Sequence, residues 1–383
     1  MTLRTTTLRP RATAAGLVAT VLCVGLTACS SNDNNNPIVA APTSDSTANA
    51  SSAPSGDTSL NGTLSGAGST AQSAAMEAWI AAFTNKYPNV TINYEPAGSG
   101  AGRTQFDSGA IKFAGSDAAL NADETTKAKA VCGDIVQVPA YVSPIAVAFN
   151  LPGITSLQMK PDTIAKIFDQ KITKWNDPAI AADNSGVQLP DTAITPVNRS
   201  DTSGTTQNFT EYLKAAAPDS WSHDASGDWP VSGGEAAQGT SGVISAITGG
   251  SGAIGYADLS QVKNLGVVHV GVGSSFVEPS ADAAGKILAS STRVDGQGPA
   301  SYAYKLNRTP SDSTIYPIDL VTYSLACTQY SSQADVDLVK AFLSYIISAD
   351  GQSVAQQAAG SAPLSDSERS LFQAAIDSIS VKS

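Results

Sequence analysis

Four times along this chain a short β-rich run ends in a turn of small or polar residues, and a helical pattern or a further turn follows. The fullest case spans residues 197–213, V-N-R-S-D-T-S-G-T-T-Q-N-F-T-E-Y-L. A strand-like run (194–197) leads to Arg199. Ser203, Gly204, Thr205 and Thr206 make the turn, and Phe209, Tyr212 and Leu213 form an apolar helical face. Strands and helices that alternate in this way imply α/β layers. The turn also has chemistry. Small residues at a helix start leave backbone N–H groups uncovered, at an end that carries partial positive charge. Ser203 and Thr205 add hydroxyls, and Arg199 adds a planar fork suited to an oxyanion. On this segment alone, an anion cradle and an ordinary N-cap turn are balanced readings.

The other three turns carry the same residue types. Gly66-Ala67-Gly68-Ser69-Thr70 precedes a helix with Met76, Ile80, Phe83 and Tyr87 on one face and Trp79 broadening it. Pro88 ends that helix, and residues 90–94 alternate as a strand. Gly98-Ser99-Gly100-Ala101-Gly102 follows, with a helix expected from Arg103. Phe113-Ala114-Gly115-Ser116-Asp117 ends a short strand on a carboxylate, which could equally cap a turn.

Charge narrows the partners. Lys plus Arg is 22 against 33 Asp plus Glu, a net charge of −11. That balance argues against a nucleic-acid partner, which would need a basic face, so an anion here must be held by local donors. Arg4, Arg9 and Arg11 followed by the apolar run 14–26 read as a secretory signal over residues 1–28. It ends Leu26-Thr27-Ala28-Cys29, similar to a bacterial lipobox, so Cys29 is expected to carry lipid; a plain secreted signal is the alternative. Residues 29–61 are rich in Ser, Asn, Ala, Thr and Pro and read as a lipidated cysteine with a flexible linker. Cys23 leaves with the signal. Cys132 and Cys327 remain in an oxidising compartment, where a disulfide is expected and two separate buried thiols are the alternative.

Downstream, residues 135–138 and 145–149 are β-rich and are joined by a Pro139–Pro144 link that can cross between domains. A helix is expected at 161–168, and Trp175 is expected to be a packing anchor. Residues 271–311 are irregular, 316–325 are strand-like and offer a second crossing, and helices are expected at 336–347 and 369–379. Catalytic candidates are poor. His223 and His269 lie in no metal-ligand spacing, and neither a G-x-S-x-G elbow nor a G-x-x-x-x-G-K-[ST] loop occurs. No catalytic residue, metal or cofactor is expected.

Taken together, the turns resemble the phosphate-binding protein of bacterial phosphate ABC importers, from about residue 64 to 380. The resemblance rests on G-A-G-S-T (66–70), N-Y-E-P-A-G-S-G-A-G (93–102), F-A-G-S-D-A-A-L (113–120), I-F-x-x-K-I-T-K-W-N-D-P (167–178), R-S-D-T-S-G-T (199–205) and G-A-I-G-Y (252–256). It implies an α/β, two-domain hinged fold of the periplasmic-binding-protein type II kind, with the ligand in the interdomain cleft. Domain I would be 64–140 plus 320–383, and domain II 144–317. The family's phosphate-binding positions fall on Thr70, Ala71, Ser99, Asp117, Arg199, Ser203, Gly204 and Thr205, with Asp201 orienting Arg199. Members often carry an aromatic where Ala71 stands; its backbone N–H should remain as donor. The implied partners are inorganic phosphate, ABC permease subunits and, through Cys29, the lipid bilayer at the outer face of the cell membrane, with the chain a monomer.

Phosphate at neutral pH keeps a proton and sulfate keeps none. A site of donors plus one carboxylate therefore suits the protonated anion, and an unpaired buried polar group can reject an analogue by roughly 10⁴–10⁵-fold. A receptor for sulfate or molybdate, a secreted phosphatase using Ser99 or Ser203, and a surface adhesin are the alternative readings.

Overall fold

The long strand that pairs with both parts of the sheet organises the molecule. In the computed structural model, which describes residues 57–383, the strands of the main sheet are β1 (Gly62–Gly68), β2 (Val90–Glu95), β3 (Phe113–Ser116), β4 (Ile135–Phe149), β5 (Ser156–Met159), β6 (Thr195–Arg199), β7 (Glu235–Ala237), β8 (Ala253–Asp258), β9 (Gly266–Val272), β10 (Ser275–Val277) and β11 (Asp319–Cys327). The signal, Cys29 and residues 29–56 of the linker lie outside the described residues. The sheet runs β2-β1-β3-β11-β4-β8-β6-β7, with β9 pairing β4, β5 and β10.

β4 is one strand of 15 buried residues, where sequence reading gave two strands and a link. Its two prolines explain the difference. Proline cannot donate to a ladder and is tolerated where pairing is broken. Pro139, opposite Tyr323, flanks a bulge: the register skips Ala140, and Tyr141 faces Thr322. Pro144 is the last residue paired with β11, and from Ile145 the strand pairs β8 instead. The ladder is therefore interrupted at both prolines without ending the strand.

Helices pack on these strands: α1 (Ser73–Lys86), α2 (Ser99–Asp107), α3 (Ala122–Cys132), α4 (Pro161–Phe168), α5 (Pro178–Asp183), α6 (Gly204–Ala216) and α7 (Gly239–Gly249). α1 buries Met76, Trp79 and Phe83, while Ile80 and Tyr87 are only partly covered. Trp79 donates to Gly351 O at 2.7 Å, anchoring α1 on the helix Ala349–Ala359. That helix escaped sequence reading because its small, polar composition shows little apolar period. Helices Gln333–Ile347 and Asp366–Asp377 extend a few residues before their expected starts, each capped by a serine, Ser332 and Ser365. Trp175 is fully buried and donates to Gly252 O at 3.0 Å. Cys132, at the end of α3, is bonded to Cys327, at the end of β11, with Cα atoms 4.5 Å apart. The irregular stretch contains β10, two short helices (Ala281–Ala284 and Ile287–Ser290) and a two-stranded pair, Thr292–Arg293 with Tyr304–Lys305.

Candidate functional site

The first wall is built where β1, β2 and β3 end. Parallel pairing of β1 with β2 and with β3 brings their C-terminal turns side by side. Thr70 and Ala71 follow β1, just before α1; Ser99 opens α2; Asp117 follows β3. Ser99, Asp117 and Ala71 are buried, and Thr70 is half-buried. The Ala71 N–H donates to Ser69 Oγ at 3.1 Å. Ser99 Oγ donates to Asp117 Oδ2 at 3.3 Å and accepts from the Asp117 N–H at 3.2 Å.

The second wall is the turn between β6 and α6. Ser203 is the N-cap of α6 and accepts from the Thr206 N–H at 3.2 Å. The Gly204 and Thr205 N–H groups, in the first turn of α6, have no acceptor among the described residues. Arg199, at the end of β6, is buried and grips Asp201 in a two-point ion pair: Nε meets Oδ1 at 2.8 Å, and Nη2 meets Oδ2. Burial works against the Asp201 charge, yet the Arg199 fork and the Gly239 N–H outweigh it and hold the carboxyl below its usual range. That leaves Arg199 Nη1 uncommitted among the described side chains.

The two walls meet. Thr205 Oγ1 donates to Asp117 Oδ2 at 3.2 Å. The Gly100 N–H donates to Thr202 O at 3.2 Å. Two glycines permit this approach. A Cβ on Gly204 would lie 2.7 Å from both Asp117 Cβ and Ser99 Oγ, and one on Gly98, where φ is +96°, would lie 2.6 Å from Asp201 Oδ2. All eight expected site residues, with Asp201, thus lie on the two facing walls.

Several neighbours were not anticipated. Thr322, on β11, donates to Asp117 Oδ1 at 2.8 Å. Thr240, in the first turn of α7, shares a 3.0 Å hydroxyl contact with Thr70, and its N–H donates to Thr70 Oγ1 at 3.2 Å. Asn208, one turn into α6, donates to Asp117 O at 2.6 Å. The run A-A-Q-G-T-S-G (236–242), which leads into and opens α7, repeats the small-residue pattern and was the available signal for Thr240. Thr322 sits inside an apolar strand, where nothing local marks it.

Nucleophilic catalysis needs a base beside the serine. Among the described residues Ser203 Oγ accepts at the helix cap and Ser99 Oγ bonds to the Asp117 carboxylate, with no histidine beside either. His223 instead pairs with Asp169 at 2.9 Å, and His269 lies in β9. Among the described residues no group of three His, Cys, Asp or Glu side chains is placed to hold a metal. The arrangement is a cluster of hydroxyl, N–H and guanidinium donors around one carboxylate.

Residues 48–350 match the PBP superfamily domain. The phosphate-binding protein PstS2 of Mycobacterium bovis is 34% identical over 322 residues, covering 81% of this chain and 85% of its own length. The chain belongs to the PstS phosphate-binding proteins. The PstS of Xylella fastidiosa is 32% identical over 279 residues, covering 70% of this chain and 73% of its own length. Among solved structures, the phosphate-binding protein of Stenotrophomonas maltophilia superposes with a TM-score of 0.64 at 20% identity, covering 82% of this chain and 93% of that one. The fold of this PstS relative is therefore that of the two-domain periplasmic binding proteins.

Proposed function

We propose that this chain is the extracytoplasmic receptor that captures inorganic phosphate for an ABC permease. The observation that carries the reading is Asp117, a buried carboxylate surrounded by donors from both walls, with Arg199 already ion-paired to Asp201. The PstS relatives support the same ligand. In this reading Thr70, Ala71, Ser99, Ser203, Gly204 and Thr205 donate to phosphate oxygens. Arg199 balances the ligand's charge, and Asp117 accepts its proton. Donors at a helix N-terminus attract the anion although the protein as a whole is acidic. On binding, Ala71 turns its N–H from Ser69 to the ligand, and Ser99 and Thr205 turn their hydroxyl protons from Asp117 Oδ2 to it, which frees that oxygen to accept the phosphate proton.

The proposed lobes are 64–140 plus 320–383 and 144–317, hinged near residues 141–144 and 316–321. The exchange of β4 partners at Pro144 and Ile145 supports the first crossing. Binding to both walls biases the closed form. The chain is proposed to act as a monomer held to the outer face of the membrane by lipid on Cys29; no described helix is long and apolar enough to cross a membrane. It is proposed to have no catalytic activity.

Calorimetric titration of the detergent-solubilised chain with phosphate, sulfate and molybdate tests the reading. Phosphate should bind tightly and the other two weakly or not at all. Preference for sulfate or molybdate, or release of phosphate from a chromogenic ester, would replace the receptor reading.

A further inference from the structure

Arg308 comes from the irregular stretch between the main helices and β11, yet it is only 6% exposed. Its Nη1 donates to Asp319 O at 2.7 Å, at the first residue of β11. Its Nη2 donates to Glu211 Oε2 at 3.0 Å and to Asn208 Oδ1, one helical turn apart on α6. Asn208, 4% exposed, then donates from Nδ2 to Asp117 O at 2.6 Å and to Gly204 O at 2.9 Å. A side-chain amide has one acceptor and one two-proton donor. Turned over, Asn208 would aim its oxygen at two carbonyls and its NH₂ at a guanidinium. Arg308 therefore fixes the amide in the one orientation that ties α6 to the opposite wall.

We propose that Arg308 and Asn208 form a latch: positioning residues that hold the Asp117 peptide against the first turn of α6 when the cleft is closed. The inference rests on the receptor reading above. The latch acts on the peptide that carries the phosphate-facing carboxylate, while Ser99 Oγ holds the N–H of the same residue. Opening the cleft separates Asn208 from Asp117 O, so the bond favours the closed, ligand-holding form. Its contribution belongs to retention of phosphate, and the ligand itself is not touched.

The test is calorimetry, phosphate release kinetics and thermal melting, with and without phosphate, on wild type, Asn208→Leu, Arg308→Gln and the double variant. Arg308→Gln strips the nearest cation from Asp319, a fully buried carboxyl whose oxygens have no donor among the described residues, so this variant alone risks misfolding. Asn208→Leu keeps that cation and is the decisive variant. It should weaken phosphate binding roughly tenfold through faster release. Its melting temperature should drop more with phosphate than without. The double variant should bind no more weakly than the weaker single, because both break one path. Wild-type affinity and release rate in Asn208→Leu overturn the latch, as do losses that multiply in the double variant. An equal melting drop with and without phosphate at unchanged affinity makes Asn208 a packing residue and also overturns it. A wild type that binds no phosphate overturns the receptor reading and the latch with it, a result distinct from variants that match a binding wild type.

Discussion

Thr322 donates its hydroxyl to Asp117 Oδ1 across 2.8 Å, with both side chains buried. The pair exists because β11 runs antiparallel to β3, with Tyr323 opposite Ser116, so Thr322 falls beside the residue that follows the strand. Ser99 and Thr205 take the other carboxylate oxygen. Three hydroxyls from three parts of the chain thus orient one carboxylate. A buried acceptor stripped of its donor costs about 1–3 kcal/mol. Thr322→Val, nearly the same shape, should weaken phosphate binding by an amount in that range, and Thr322→Ser should restore most of it. Calorimetry decides the point; unchanged affinity in the valine variant would show that Asp117 is held well enough without Thr322.

Gly204 offers a cleaner separation of binding from folding. Alanine is a good helix residue, and Gly204 opens α6. Its added Cβ would meet Asp117 Cβ and Ser99 Oγ, both on the opposite wall, at 2.7 Å. Overpacking of this kind costs roughly 1–3 kcal/mol, and an open cleft escapes it. Gly204→Ala should therefore melt near the wild-type temperature without phosphate and bind phosphate at least tenfold more weakly, by about one 1.4 kcal/mol step. A variant that loses stability equally in both states would place the clash within one lobe.

The walls of the site were legible in sequence because each is a local pattern. A strand, two or three small residues and a helix start make a donor turn wherever they occur, and Thr70, Ser99, Asp117 and Ser203–Thr205 all stand in such turns. Arg199 and Asp201 are two residues apart, so their pairing is local too. Thr322, Asn208 and Arg308 were illegible for the opposite reason. Thr322 reaches Asp117 over 205 positions of sequence, and Arg308 reaches Asn208 over 100. Each looks like an ordinary polar residue in its own stretch. The link 139–144 was misread because proline argues against a strand, and only the exchange of partners at Pro144 and the bulge at Pro139 make it compatible with one.

The Cys132–Cys327 bond closes a loop of 195 residues between the ends of α3 and β11. Long loops lose the most unfolded-chain entropy on closure, which allows up to about 5 kcal/mol of stabilisation. Reduction should lower the melting temperature markedly. Phosphate affinity at room temperature should change little, since among the described residues neither cysteine hydrogen-bonds to a site residue. Melting and calorimetry with and without reductant check both halves. A large affinity loss in folded, reduced protein would mean that the bond shapes the cleft.

Asp258 ends β8 beside the exchange point of β4, opposite Ile145. Burial lifts its carboxyl to about 6, although the hydroxyls of Ser260 and Tyr141 pull it down. The folded state thus keeps a proton that the unfolded chain has lost. The group costs nothing below its ordinary value of 3.8 and its full penalty above about 6, so its share of stability falls as pH rises through that window. Asp258→Asn removes that share. The variant's stability relative to wild type should improve between pH 4 and pH 6.5 by about 2–3 kcal/mol at most. Other shifted groups, such as Asp107, cancel in the difference. Denaturant melts across that range measure it, and a flat difference would mean that Asp258 titrates as in the unfolded chain.

Selectivity should rest on Asp117. It is a carboxylate among groups that otherwise offer only protons: Ser99, Thr205 and Thr322 hydroxyls, the free N–H groups of α6 and the Arg199 fork. An aspartate facing a dianion in a partly dry cleft repels it strongly unless a proton lies between them. Phosphate brings that proton and sulfate cannot. Asp117→Asn removes the charge and can turn an N–H toward the ligand, while its amide oxygen can still accept. Phosphate should lose modestly and sulfate should gain, because specificity here comes from a repulsion that the substitution deletes. Arg199→Ala should differ in kind. It removes a charge-assisted bond that any oxyanion would use, costing about 1.5–3 kcal/mol for phosphate and sulfate alike, and so leaves their ratio unchanged. The phosphate-to-sulfate affinity ratio in wild type and both variants is the measurement. If Asp117→Asn leaves that ratio where it was, the carboxylate is a buried turn residue held by three hydroxyls, and discrimination must come from the donors alone.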